Sequence, residues 1–301
     1  MFGEDSIGAA RHMFQIIGIV LLFGLVFGSY IISGGNMAVI LHATPHEMMA
    51  IGGAGIASFL ISNSMTVVKG CGSGMAKVFS GPKWKATDYR DLLSLLFLLT
   101  KTMKSKGVIA LESHIENPKE SSIFSRFPKI LKDHFAVDFI CDTLRMMTMN
   151  LEDPHQVEDA MEKQLEKHHH EALAPAHAIQ TLADALPALG IVAAVLGVIK
   201  TMGAITEPPE VLGEMIGGAL VGTFLGVFLA YGLVAPFATR LTQVVDEDGA
   251  FYRIIQAVLV AHLHGNAAQI SVEIGRGNVP SGAQPSFLEL EEALSAIPAE
   301  G

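Results

Sequence analysis

Few residues in this chain of 301 have the types and spacing that chemistry needs. His168, His169 and His170 are adjacent, and neighbouring helical side chains point about 100° apart, so the three cannot converge on one metal ion. A solvated helix face is the plainer reading. His262 and His264 have no acidic or histidine neighbour four residues away. No serine, cysteine or histidine sits in a nucleophile motif, and no glycine-rich phosphate loop follows a strand. Cys71 and Cys141 form neither a disulfide framework nor a metal motif and read as buried reduced thiols. The residues therefore support no enzyme, metal or cofactor. What remains is residues 219–236, ALVGTFLGVFLAYGLVAP, an uncharged run with the hydroxyl of Thr223 at its centre and Pro236 at its end. Gly218, Gly222 and Gly226 fall four apart, sharing one helix face on which another backbone can approach closely.

The elements that must position these residues are membrane helices. Half of the chain is hydrophobic and only 17% is charged; mean hydropathy is +0.43. Such a composition is too apolar for an ordinary soluble domain of this length. The net charge is -10, and no basic stripe or run is long enough to suggest nucleic-acid binding.

Four apolar segments are long enough to cross a bilayer, at roughly 20 helical residues per crossing. They run from about Met13 to Ile32, from Thr44-Pro45 to about Val67, from about Leu182 to Met202 and from about Val211 to Phe237. In the second, Thr44 reads as the cap and Pro45 as the first helical residue. Pro208-Pro209 makes the turn before the fourth. Of the 20 basic residues, 15 lie between positions 64 and 180. Lys69, Lys77, Lys163 and Lys167 flank the membrane there, which assigns that loop to the cytoplasm and both short connections to the outside. The expected divisions are an N-terminal extension 1–12, spans one and two in 13–67, a helical cytoplasmic loop 68–181, spans three and four in 182–237 and a cytoplasmic tail 238–301. Translation could start at Met1 or Met13. Within the loop, Asp88 can cap a helix with Leu92, Leu95, Leu96, Leu99 and Met103 in a stripe, and Asp153-Pro154 opens another with Val157, Met161 and Leu165 on one face. The run Leu92 to Leu99 is too short to cross, being flanked by Arg90-Asp91 and Lys101. The fold class is an all-α integral membrane protein, with four transmembrane helices, a large helical cytoplasmic loop and a C-terminal cytoplasmic helix.

None of the expected spans carries a central carboxylate; Glu47, Asp184, Lys200 and Glu214 all fall at their ends. Ion passage through hydrocarbon needs a titratable group at mid-depth. If this chain conducts ions, another chain must bring the acid.

The residues Ala219, Gly222, Thr223, Gly226 and Pro236 resemble the signature of the MotA family, the membrane subunits of the bacterial flagellar stator. The resemblance extends to FGSYIISGG (27–35), ALESHIENPKES (110–121), ALPALGIVAAVLGV (185–198) and PSFLELEE (285–292), while residues 1–12 have no counterpart. It implies an inner-membrane protein with both termini cytoplasmic, assembled as five copies around two chains of a MotB-like partner that supplies the ion-carrying aspartate. It also implies an ion path past Pro187, Thr223 and Pro236, and contact of Lys104 and Glu112 with the rotor protein FliG. From residues alone, Pro187 reads equally as a plain kink and Pro236 as a helix terminator. The usual arginine of the family is Lys104 here, which keeps the charge and loses the fork geometry. Sodium-type relatives carry a threonine where this chain has Ala194, which points to proton coupling. An ExbB or TolQ-like proton channel energising outer-membrane work is the alternative, weakened by the pair of N-terminal spans.

Overall fold

The computed structural model describes residues 4–149 and 153–297, with backbone alone for residues 4–12. Its α-helices are α1 (Glu4–Ile32), α2 (Met37–Ser62), α3 (Met65–Ser80), α4 (Ala86–Lys106), α5 (Glu112–Glu116), α6 (Pro128–Leu131), α7 (His134–Thr148), α8 (Pro154–Gly203), α9 (Pro209–Leu229), α10 (Ala235–Leu263), α11 (Ala268–Gly277) and α12 (Phe287–Ser295). No strand occurs among the described residues. The chain divides into two compact units, one of residues 1–81 with 173–244, the other of residues 82–172 with 245–301.

Three helical stretches of the described residues are long and apolar enough to cross a membrane: Met13–Ile32, Pro154–Gly203 and Pro209–Leu263. The expected second span is differently built. Its helix begins at Met37, capped by Asn36, whose side chain accepts the Ala38 N–H at 3.0 Å. Pro45 therefore sits inside α2 and not at its first position. The proline lacks the N–H that would bond Leu41, and beside it the Thr44 hydroxyl donates to the Ile40 carbonyl at 2.7 Å. The helix stops at Ser62, before extended Asn63, and Ser64 caps α3. Pro45, His46 and Glu47 dilute the apolar run of α2, whereas each of the other three stretches holds a more strongly apolar window.

The first unit is assembled by helix seams. Ile51 of α2, Leu186 and Ala193 of α8, and Val221 and Leu225 of α9 form its buried cluster, with Ala230 just beyond. Helix α1 joins through rings: Phe23 meets Phe228 edge-on at 5.2 Å, and Phe27 meets Phe224 and Phe228 at 5.9 and 5.6 Å. Such T-shaped pairs add about 0.5–1.5 kcal/mol each beyond area burial.

The second unit has a conventional apolar core. The expected stripe on α4 is in fact a helix buried on almost every side from Leu92 to Thr100, which explains why so apolar a run need not cross a membrane. Asp88 is not the cap but the third residue of α4, its carboxylate accepting the Lys85 N–H at 2.7 Å. Val157, Met161 and Leu165 are buried in the same core.

Candidate functional site

The central geometry of the first unit is a glycine seam between α8 and α9. A Cβ on Gly226 would lie 2.7 Å from the Leu186 carbonyl oxygen and 2.9 Å from the Gly190 Cα. A Cβ on Gly190 would lie 2.8 Å from the Gly222 carbonyl oxygen. The two backbones thus touch where no side chain fits, so Cα–H groups face carbonyls across the seam. One step along, a Cβ on Gly197 would lie 2.7 Å from the Ala219 Cβ. Gly218 makes no such approach; its nearest neighbour is the Ala43 methyl, 3.7 Å from where a Cβ would stand. Gly190 and Gly197, the partners of this seam, were not singled out from sequence, although their spacing of seven places both on one face of α8.

Gly222 has a second partner. A Cβ there would lie 2.5 Å from Oε2 of Glu47 and 3.3 Å from the Ala193 methyl. The carboxylate of α2 is therefore packed into the space left by a missing side chain, one residue from Thr223. Oε2 of Glu47 is buried and has no hydrogen-bond partner. The expectation that Glu47 lies at a span end is corrected here: with α2 starting at Met37, Glu47 lies within the helix and faces the middle of the Pro209–Phe237 stretch. A lone glutamate in an otherwise apolar helix, four residues before Ile51 and eight before Gly55, was the available signal. Toward the start of α9 the seam widens into a pocket of about 440 Å³, lined by Asn36, His42, His46, Glu47, Lys200, Thr201, Glu214 and small or apolar neighbours.

Pro187 lies inside α8, half-buried, and Thr223 and Ala194 are half-buried on α9 and α8. Exposed Pro236 does not terminate its helix, which continues to Leu263. Instead residues Ala230–Val234 form a π-turn in which the Ala235 N–H reaches the Ala230 carbonyl. Widening the helix by one residue just before a proline accommodates the missing donor and the ring, which an α-helical register would not.

In the second unit, Lys104 lies in the last turn of α4 and Glu112 in the first turn of α5, both exposed. Each charge suits its helix end: cations favour C-termini and anions N-termini. At the other end of α4 lies a pair of ion pairs. Lys83 pairs with Asp133 and Lys129 with Asp88, and both ammonium groups stand over Trp84, at 4.5 and 5.5 Å from the ring centroid. Burial pushes the Cys141 thiol up to about 12, which leaves it unreactive. Burial, with Lys104 nearby, holds the His262 imidazole below its usual value, so it stays neutral. The histidine triplet is more structured than a solvated face: His168 stacks on Phe135 with centroids 3.5 Å apart, and His169 faces Asp246 at 3.3 Å. No group of three metal-ligating side chains comes together among the described residues.

This chain matches known proteins along most of its length. The motility protein A N-terminal model covers residues 16–107, and the MotA/TolQ/ExbB proton channel family model covers residues 132–252. It is 39% identical to Motility protein A of Escherichia coli over 95% of this chain and 96% of that one. It is 34% identical to chemotaxis protein LafT of Vibrio parahaemolyticus over 94% and 99% of the two. Among solved structures, MotAB of C. jejuni aligns with a TM-score of 0.67 at 19% identity, covering 88% of this chain and 95% of that one. The flagellar MotAB stator complex of Bacillus subtilis aligns at 0.64 with 22% identity, covering 86% and 92%. The fold is shared with both.

Proposed function

The chain belongs to the motility protein A family, subunits of the flagellar stator ion channel, and we propose that it conducts protons with a MotB-like partner and converts their flow into torque on the rotor. The observation that carries this reading is the α8–α9 seam, where backbones touch while Thr223 of α9 and Ala194 of α8 each lie on a half-exposed face. A wall so built holds its shape and leaves that face for a neighbouring helix. We assign α2 as a fourth crossing, because Met48 to Ile61 is uncharged and the Glu47 carboxylate is seated against Gly222 of α9. Both termini and residues 68–181 then lie in the cytoplasm, and five copies surround two partner chains.

Topology is tested by single cysteines at Asn36, Glu207 and Ser122. The first two should react with an impermeant thiol reagent applied outside intact cells and the third should not; labelling at Ser122 would sink the four-span arrangement.

Coupling to protons follows from what the wall offers. Sodium needs several oxygens at once, whereas a proton needs an acid and water. Ala194 supplies no hydroxyl, which leaves Thr223 as a poor sodium cage by itself.

Torque would pass through Lys104 and Glu112 to charges on a rotor protein such as FliG. Because both are exposed at helix ends, reversing both signs together should lower swimming severalfold with the membrane level unchanged, a rim-charge effect. Normal swimming by the K104E/E112K chain would remove them from the contact. The ExbB or TolQ-like alternative predicts restored outer-membrane uptake in place of swimming.

A further inference from the structure

The polar pocket at the start of α9 is left unused by the stator reading. It gathers ionisable groups from three helices of one unit: His42, His46 and Glu47 of α2, Lys200 of α8 and Glu214 of α9. Its inner end is the Glu47 carboxylate, whose Oε2 is buried, unpartnered and seated against Gly222. Burying a carboxylate oxygen with no donor is costly when the group is charged, so the arrangement favours an acid that holds a proton. Removing the side chain at position 222 makes room for that oxygen. A purely structural glutamate would need neither feature.

We propose that Glu47 is a proton-relay residue of this chain, loaded from the pocket bounded by His42, His46, Lys200 and Glu214, and that it delivers protons to the path beside Thr223. The inference rests on the stator reading and on α2 as a crossing with its start facing outward. A proton from outside water, received directly or through His42 or His46, bonds to a Glu47 carboxylate oxygen. That O–H bond then breaks as the proton passes to water next to Thr223, and the carboxylate is regenerated with no net chemistry. The relay matters most when external protons are scarce.

The experiment expresses this full chain with its partner in a motile host lacking its own stator, and follows swimming speed across an external series from about pH 6 to about pH 8, the range in which histidine charge changes. The parent chain must first restore swimming, and failure there rejects the stator reading and leaves the relay without a path. E47Q keeps the shape against Gly222 and loses the exchangeable proton. It should match the parent near pH 6 and fall on the order of threefold near pH 8, well short of the 10²-fold cost of losing an essential acid. E47D keeps a carboxylate and should retain the parent profile. An E47Q chain, present in the membrane, that tracks the parent at every pH overturns the relay. If E47Q does not accumulate, E47D decides alone: the parent profile supports the relay, and a steeper alkaline loss overturns it.

Discussion

Substituting leucine for Gly226 is expected to remove the assembled complex from the membrane and abolish swimming. A Cβ alone would come within 2.7 Å of the Leu186 carbonyl oxygen and 2.9 Å of the Gly190 Cα. Both obstacles are backbone, and a rotamer change cannot relieve them. Inserting extra methylenes into a packed site costs about 1–3 kcal/mol where side chains can move, and more is expected here because the helices themselves must part. Separating α8 from α9 also displaces Ala193 from Gly222 and opens the buried cluster of Ile51, Leu186 and Val221. Native gels of detergent extracts and motility halos provide the readout. Gly213→Ala, at a glycine with nothing within 4 Å of an added Cβ, should assemble and swim. Intact complexes of the Gly226 variant would show that the seam does not exist in the membrane.

The second large effect belongs to the other unit. Phe251 is fully buried and stacks on Trp84 with centroids 3.7 Å apart and planes 6° from parallel, while Tyr89 packs against it at 5.5 Å. Truncating a buried phenylalanine to alanine costs about 3–5 kcal/mol, a large share of the stability of a single domain. Trp84 would lose the ring that holds it beneath Lys83 and Lys129, and the ion pairs to Asp133 and Asp88 would loosen with it. The Phe251→Ala chain should show fast hydrogen exchange and protease cleavage through residues 86–106, with much reduced torque. Unchanged exchange in α4 would mean that the stack contributes little to the core.

How much of this was legible in the sequence depended on whether local signals and tertiary ones agreed. The spans around Met13–Ile32 and Leu182–Met202 were readable because uninterrupted apolar length is itself the signal. The start of α2 was not, because Thr44-Pro45 looks like a cap and a first turn, while Asn36 earlier in the chain offers the cap that forms. That the helix runs on past Pro236 to Leu263 was not readable, because a proline normally stops a helix and the π-turn that absorbs it has no sequence mark. The small residues Gly222 and Gly226 were visible by period, yet their pairing with Gly190 and with the Glu47 carboxylate emerges only when α2, α8 and α9 are set side by side. Lys104 and Glu112 sit at exposed helix ends, where nothing within this chain distinguishes a rotor contact from a solvated charge.

The central claim is that this chain turns proton flow into rotation, and one measurement meets it most directly. Expressed with a MotB-like partner in cells lacking both stator proteins, the chain should restore swimming whose speed is flat across a sodium series at fixed pH and collapses when a protonophore is added. Failure to restore swimming with both proteins in the membrane, or swimming that requires sodium and survives loss of the proton gradient, would contradict it.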